Sequence, residues 1–250
     1  MSLLSDPTTN YKAYKNKKLQ IDTYFLSLAQ SDLSGYNTCP MANKFIAKEN
    51  NPKKSNCSHV CVGSRGNAQV FPMIMQARIK KTIRFFEDRQ NFMNELVTEI
   101  AKAIIKSDKK GIKPTFRLNS YSDIRWESIK IDKFGGNTIY ELFPNVEFYD
   151  YTKLENRNTS NKYYTTYSHW GDWDATKRAM ARGQNVAMVF DKRDELPKTF
   201  MGRVVVDGDK TDLRTPQNDG ENVIVGLRAK MSKAKIDEML KEKNTFIVKC

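Results

Sequence analysis

The stretch NVAMVF, residues 185–190, places five apolar side chains in succession after Asn185. A strand built from such a run has no polar face, so both of its faces have to be covered, as helices cover the strands of a parallel sheet. Strand patterns and helix patterns follow one another over most of the rest of the chain. The sequence therefore predicts an α/β fold with a largely parallel sheet, barrel-like or open, and surrounding helices.

The other elements are predicted from apolar periodicity and from helix-breaking residues. Further strands are expected at residues 115–119, 146–151, 163–167, 202–206, 222–226 and 245–248. Helices are expected at residues 67–86 (with a late start because of Pro72), 88–106, 137–143, 173–182 and 233–241, and from the SYSD cap at 120–123 to about residue 130. The helix at 88–106 has the clearest pattern, because Phe92, Leu96, Ile100 and Ile104 recur every four residues. Around residues 19–28 the pattern allows a short strand or a helix.

The N-terminal part of the chain differs from the rest in composition. Residues 1–66 are polar and basic and contain three of the four cysteines. We predict that they form a basic arm and a cysteine loop that pack on a main domain, residues 67–250, within one structural unit. No apolar run approaches the about 20 residues of a membrane span, and no secretory signal is present, so we expect a cytosolic protein without a membrane partner.

The charge of the chain is strongly positive, +13 from 42 Lys and Arg against 29 Asp and Glu. Such a surface favours a polyanion, and nucleic acid is the commonest in a cytosol; solubility through lysine is the alternative. The basic residues cluster at 12–18, 53–54, 78–84 and 106–113, and aromatic residues such as Tyr14, Phe85 and Phe86 lie among them. This favours single-stranded nucleic acid, because rings stack on bases while cations contact phosphates. The residues predicted to bind nucleic acid are Arg78, Lys80, Lys81, Arg84, Arg117, Lys153 and Arg214.

Three cysteines, Cys39, Cys57 and Cys61, are the predicted metal ligands. In a cytosolic chain they are not a disulfide framework, and thiolates favour iron–sulfur clusters or zinc. One interpretation is a [4Fe–4S] cluster, another is a zinc ion with His59 as a further ligand, and a third is that the thiols are only buried. The cluster is favoured because Cys-x-His-x-Cys within five residues is tight for one zinc ion. The radical-SAM spacing C-x-x-x-C-x-x-C is incomplete, since Ser64 stands at its last position.

Polar side chains follow several of the predicted strands, and in parallel α/β folds functional groups collect at the carboxyl ends of strands. Asp207 and Asp209 follow an apolar strand. They predict a site for a divalent cation that activates water. The structural alternative is an Asx turn with Gly208. His169 is a candidate general base, with packing against an aromatic neighbour as the alternative. The predicted catalytic residues are Asp123, His169, Asp207 and Asp209.

Six short motifs, taken in order, resemble the bacteriophage "gene product 88" domain family. They are SGYNTCPMA (34–42), CSHVCVGSRG (57–66), FRLNSYSD (116–123), FYDYTKL (148–154), VVVDGDKTDLR (204–214) and VIVGLRAKMSKA (223–234). Two positions depart from the family pattern, because Val62 replaces a tyrosine and the loop with Asp123 lacks a glycine. The resemblance implies a phage origin and the cytoplasm of an infected bacterial host. Its layout, early cysteines before an α/β domain, is similar to that of radical-SAM enzymes.

These observations lead to one main hypothesis and two alternatives. The main hypothesis is a phage protein that acts on nucleic acid, as a binding or processing protein or a metal-dependent nuclease, and carries a cysteine-ligated iron–sulfur cluster. The first alternative is a radical-SAM-like redox enzyme. The second is a non-catalytic module with a structural metal that binds nucleic acid or a host protein.

Overall fold

The computed structural model describes residues 2–9, 11–41, 61, 63, 70–157, 159, 162–192, 194–241 and 245–250. The chain forms two compact units. The first contains Met1–Pro40, Cys61–Asp150 and Asn158–Tyr164, and the second contains Met41–Val60, Tyr151–Arg157 and Thr165–Cys250. The predicted packing of residues 1–66 on a main domain involves residues outside the described ranges and stays a prediction.

The first unit contains helices and mainly parallel strands. Its elements are β1 (Leu4–Ser5), α1 (Tyr11–Asn16), β2 (Ile21–Leu26), α2 (Pro72–Glu87), α3 (Arg89–Asp108), β3 (Lys113–Arg117), α4 (Ile139–Leu142) and β4 (Glu147–Thr152). β1 pairs antiparallel with β2, β2 pairs parallel with β3, and β3 pairs parallel with β4. Because β2, β3 and β4 run in the same direction, the loops after them leave from the same edge of the sheet.

Helix α3 supplies a large part of the first unit's core. Phe92, Leu96 and Ile100 are fully buried, which confirms the predicted apolar stripe. Phe85 of α2 packs edge-on against Phe92, with ring centroids 5.4 Å apart. The two long predicted helices are therefore present, and α2 begins at Pro72, a residue suited to the first helical position because it lacks an N–H that would need a partner.

The second unit repeats the alternation of strands and helices. Its elements are β5 (Tyr163–Ser168, of which Thr165–Ser168 belong to this unit), α5 (Trp173–Ala181), β6 (Val186–Phe190), β7 (Thr199–Phe200), β8 (Arg203–Asp207), α6 (Pro216–Asp219), β9 (Ile224–Arg228), α7 (Lys233–Leu240) and β10 (Ile247–Val248). β6 pairs parallel with β5, β9 and β10, and β9 also pairs parallel with β8. β7 adds an antiparallel edge to β8.

Strand β6 confirms the prediction made from NVAMVF. Val186, Met188 and Phe190 are buried completely, and parallel strands lie on both sides. The α/β class and the largely parallel pairing are thus confirmed. In neither unit do the described strands close into a barrel, so the open alternative is correct and the barrel-like one is wrong.

Two local predictions need correction or completion. The segment after SYSD is not a helix but a loop with one turn of 3-10 helix at Trp126–Ser128. The reason is that Asn119 Oδ1 accepts hydrogen bonds from Ser122 Oγ at 2.9 Å, Ile124 N at 2.9 Å and Trp126 Nε1 at 3.1 Å, which holds this backbone in a non-helical path. Residues 19–28 contain the strand β2, and helix α1 before it was not predicted.

Candidate functional site

Cys39 lies in the loop that follows β2, against the loop that follows β3. Thr38 joins the two loops, because its N–H donates to Ser31 O at 2.9 Å and its carbonyl accepts from Asp123 N at 2.8 Å. The Cys39 Sγ lies 3.4 Å from the carbonyl oxygen of Tyr121. The half-buried thiol is therefore held at the carboxyl ends of parallel strands, where the sequence predicted the functional groups.

Cys61 reaches the same loop through Gly63 and Arg78. Gly63 N donates to Cys61 Sγ at 3.4 Å, and Arg78 Nη1 donates to Gly63 O at 2.5 Å. The Arg78 guanidinium also lies 4.2 Å from the centroid of the Tyr121 ring. A Cβ added to Gly63 would lie 3.1 Å from that ring, so a side chain here would crowd the contact. We call Gly63, Arg78 and Tyr121 the arginine clasp.

The Cys39 thiol therefore contacts the main chain of Tyr121, and Gly63, two residues after Cys61, lies beside the Tyr121 ring. Cys57, the third predicted ligand, and His59 lie outside the described residues. Within the described ranges, no group of three or more His, Cys, Asp or Glu side chains is placed to hold a metal. What the structure offers to a cluster is two half-buried thiols, one in contact with Tyr121 and the other two residues from Gly63, which lies beside the ring of the same tyrosine, and this fits a thiolate-ligated group.

A buried polar network lies beneath this loop. Asp150 of β4 is 1% exposed and accepts hydrogen bonds from Asn119 N at 2.7 Å and from Tyr163 Oη at 3.1 Å. Sequence reasoning missed Asp150, although an aspartate inside the strand EFYDYT was the signal that could have found it. A buried carboxylate needs such partners, so the network fixes the strand ends below the cysteines.

Two other predicted site residues of the first unit are also buried. Asp123 is 7% exposed, and its backbone N–H makes the bond to Thr38. Arg117, the last residue of β3, is 5% exposed. An arginine with so little exposure is not placed to contact a phosphate on the surface of the protein.

In the second unit, Asp207 and Asp209 are paired with basic residues. Arg228 donates to Asp207 at 2.9 and 3.2 Å, and the Arg228 backbone N–H donates to Asp209 at 3.0 Å. Lys230 Nζ lies 2.9 Å from Asp209. The hydrogen bond from Arg228 lowers the pKa of Asp207. Asp209 N also donates to Asp207 Oδ1 at 3.0 Å, which is the Asx turn offered as the alternative to a cation site.

His169 is a packed side chain at the end of β5. It is 3% exposed, its Nδ1 lies 2.7 Å from Thr176 Oγ1, and its ring centroid lies 4.2 Å from that of Trp173. Burial lowers the pKa of His169 to about 4. The geometry therefore favours the packed alternative over the general base.

Most residues predicted to bind nucleic acid make contacts within the protein. Lys81 Nζ donates to Leu3 O at 2.8 Å, and burial lowers the pKa of Lys81. Arg84 pairs with Glu95 at 2.5 Å. Lys153 is half-buried, whereas Lys80 is exposed.

Arg214 is the most deeply buried of the predicted phosphate contacts. Its side chain is 0% exposed, and Nη1 lies 2.7 Å from Asp219 Oδ1. The other terminal nitrogen donates to the carbonyl oxygens of Gly208 and Thr211. Arg214 thus organises the turn after β8 from the inside.

The aromatic residues that lie among basic ones in the sequence differ in their exposure. Phe85 is 1% exposed, and Phe86 stacks on Tyr36 with ring centroids 4.6 Å apart. Both phenylalanine rings are therefore engaged within the protein. Tyr14, by contrast, is 61% exposed.

Comparison with known proteins identifies the chain at the level of a family. Among the described residues, no helix is long and apolar enough to cross a membrane. Neither the curated proteins nor the solved structures contain a match. The family model described as "Gene product 88" matches residues 2–244, and the chain therefore belongs to the Gene product 88 family.

Proposed function

We propose that this protein holds a [4Fe–4S] cluster on Cys39, Cys57 and Cys61 and acts on nucleic acid in the cytoplasm of an infected bacterium. Membership of the Gene product 88 family supports the bacteriophage origin. The observation that carries the cluster is that the Cys39 thiol and Gly63, two residues after Cys61, both lie against Tyr121. Cysteine-bearing segments that are distant in the sequence but lie against one residue are what a shared cluster requires.

The surroundings of the two thiols support a thiolate-bound group. The Arg78 guanidinium is held on Gly63, two residues after Cys61, and so brings positive charge to the segment that carries this proposed ligand. The network of Asn119 and Asp150 holds the strand ends below the loop. When bound, an iron–sulfur cluster supplies electron transfer or a coordination site for a substrate. The residues of this chain hold the thiols in place and shield them partly from water.

Metal analysis tests the proposal directly. Protein purified without oxygen is expected to be brown, to absorb near about 400 nm and to contain iron and acid-labile sulfide. The substitutions Cys39→Ser, Cys57→Ser and Cys61→Ser should each lower the iron content strongly. Cys250→Ser is the matched control, because the Cys250 thiol donates to Asp191 in the second unit and is not a proposed ligand.

Two outcomes would contradict the cluster. Stoichiometric zinc without iron, lost on His59→Ala, would support the zinc alternative. Metal-free protein whose fold is unaffected by all three serine substitutions would support buried thiols without a metal.

The action on nucleic acid rests on the charge of +13. Its test is binding of fluorescein-labelled single-stranded DNA at increasing KCl, where affinity is expected to fall steeply as counterions are released. Binding that does not depend on salt, or no binding, would remove this part of the proposal and leave the cluster untouched.

The alternatives differ in the support they receive. A nuclease centred on Asp207 and Asp209 has the least, because a cation would have to displace Arg228 and Lys230 from the two carboxylates. A radical-SAM-like enzyme shares the cluster but lacks the complete cysteine spacing at Ser64. A non-catalytic module that binds nucleic acid or a host protein needs only a structural metal.

A further inference from the structure

Two basic clusters that are far apart in the sequence, residues 12–18 and 106–113, lie side by side in the first unit. Lys113 N donates to Gln20 O at 3.3 Å, and β2 and β3 begin opposite each other with Ile21 beside Lys113. The turn before β2 and the turn before β3 are therefore neighbours. They lie at the amino ends of the parallel strands, whereas the cysteine loops leave from the carboxyl ends.

The turn before β2 exposes an aromatic ring among lysines. After α1 the chain forms a 3-10 turn, Lys17–Leu19, and Gln20 ends it in the left-handed region with φ 55°. Tyr14 is 61% exposed and Leu19 is 44% exposed, although large apolar side chains are ordinarily covered. Lys17 Nζ lies 5.7 Å from the centroid of the Tyr14 ring, and Lys18 is exposed beside it in the chain.

Some lysines of the cluster at residues 106–113 form ion pairs with other described residues, and one does not. Three of them are paired with carboxylates of the first unit, Lys106 with Asp6 at 2.5 Å, Lys110 with Asp22 at 3.7 Å and Lys113 with Glu147 at 2.5 Å. Lys109 is exposed, and among the described residues neither it nor Lys17 nor Lys18 has a carboxylate within ion-pair distance. The positive charge of these three lysines is therefore not neutralised within the described part of the chain.

We call Tyr14, Lys17, Lys18, Leu19 and Lys109 the lysine–tyrosine patch. We infer that this patch binds single-stranded nucleic acid, an inference that rests on the proposed action on nucleic acid and names its surface. The Tyr14 ring stacks on a base, Leu19 covers an edge of that base, and the three lysines contact phosphates on either side of it.

Charge and geometry favour single-stranded nucleic acid over a duplex, a membrane surface and a protein partner. In a duplex the bases are stacked inside, so the exposed Tyr14 ring would have no free base to stack on. A helix that lies on a membrane surface presents an apolar stripe along its length, whereas α1 has only six residues and buries Ala13 and Asn16 against the protein. A protein partner buries roughly 800 Å² on each side, which needs more apolar anchors than one ring and one leucine.

The test uses the full chain and a labelled oligothymidylate of roughly 20 nucleotides, followed by fluorescence anisotropy. Tyr14→Ala is expected to weaken binding about tenfold with an unchanged salt slope, since one stacked base is lost. Tyr14→Phe should bind like wild type, because it keeps the ring. The double variant Lys17→Ala with Lys18→Ala should make the negative slope of log K against log salt shallower by about 1.4, the value for two phosphates of a single strand.

Matched controls come from other exposed positions. Phe71 is 56% exposed, so Phe71→Ala removes an aromatic ring of similar exposure elsewhere. Lys133→Ala with Lys177→Ala removes the same charge from two exposed positions outside the patch. Circular dichroism and urea unfolding of each variant identify any that fail to fold.

The outcomes separate this inference from the proposed function. Wild-type binding that Tyr14→Ala weakens and Phe71→Ala does not supports the patch. The patch is overturned if Tyr14→Ala leaves binding unchanged, or if the control pair of lysine substitutions changes the salt slope as much as the pair at Lys17 and Lys18. In either case the action on nucleic acid stands. Binding of phosphatidylserine vesicles through Tyr14, without binding of the oligonucleotide, overturns both in favour of a lipid surface.

Discussion

Substitution of His169 by glutamine, combined with a change of pH, tests the assignment of this residue as a packed side chain. Thr176 Oγ1 donates to Asp172 O at 2.7 Å, so its oxygen accepts from His169 Nδ1, and the neutral ring carries its proton on Nδ1. Burial lowers the pKa of His169 from 6.5 to about 4, opposed by a Thr245 backbone hydrogen bond and by the Asp172 carboxylate.

The size of the effect follows from the difference in pKa between the folded and unfolded chain. Each pKa unit corresponds to about 1.4 kcal/mol. On acidification the unfolded chain binds a proton near pH 6.5, whereas the folded chain resists until about pH 4. Protonation therefore favours the unfolded state across this window. Stability contributed by the neutral ring is complete above pH 6.5, and about 3 kcal/mol of it is lost by pH 4.

The assay is urea unfolding of wild type and His169→Gln between about pH 8 and pH 4, followed by tryptophan fluorescence. At neutral pH the variant is expected to be less stable by about 1 to 2 kcal/mol, because the bond to Thr176 is weakened. Near pH 4 the order should reverse, since only wild type has lost the His169 contribution. Acidic groups titrate in both proteins and cancel in the difference.

A flat difference between the two proteins would refute the reasoning. It would mean that His169 titrates alike in the folded and unfolded chain, as an accessible general base does. The same experiment thus distinguishes the two interpretations that the sequence left open.

Substitutions at three further positions test other parts of the structure. Arg214→Ala should cost about 3 to 5 kcal/mol of unfolding free energy by leaving Asp219 buried without its cation, whereas a loss under about 1 kcal/mol would mean that the pair is accessible to water; urea unfolding measures it. Arg78→Ala should reduce the iron content after anaerobic purification. Arg78→Lys should not restore it, because lysine lacks the planar group that both stacks and donates. Full iron content in either variant would show that the arginine clasp does not support the cluster. Asp207→Asn should cost about 1 kcal/mol or less, shrinking at high salt, since its pair with Arg228 is partly exposed; loss of a metal-dependent cleavage at unchanged stability would instead favour the nuclease.

The elements of the fold were largely readable from local patterns. NVAMVF predicted a strand covered on both faces, and the stripe beginning at Phe92 predicted α3, because apolar periodicity is a property of neighbouring residues. The exception is the segment after Asn119. There one side chain accepts three hydrogen bonds that are made only in the folded loop, and these outweigh the helix signal of SYSD.

Which basic and aromatic residues are available to a partner was not readable in this way. Arg78, Arg214 and Lys80 look alike in the sequence, yet Arg78 holds Gly63, Arg214 is fully buried and Lys80 is exposed. The difference depends on which acceptors other segments bring near each side chain. Composition predicts a basic surface but does not show which lysines and arginines are exposed on it.

The sequence by itself determined the α/β class, the family and the set of cysteines, because these depend on residue types and their order. Only the tertiary structure decided that the Cys39 thiol and Gly63, two residues after Cys61, lie against Tyr121, and that Tyr14 rather than Phe85 faces solvent beside Lys17. The physical reason is that parallel pairing of β2, β3 and β4 brings segments that are distant in the sequence together at each end of these strands, which no pattern of neighbouring residues encodes.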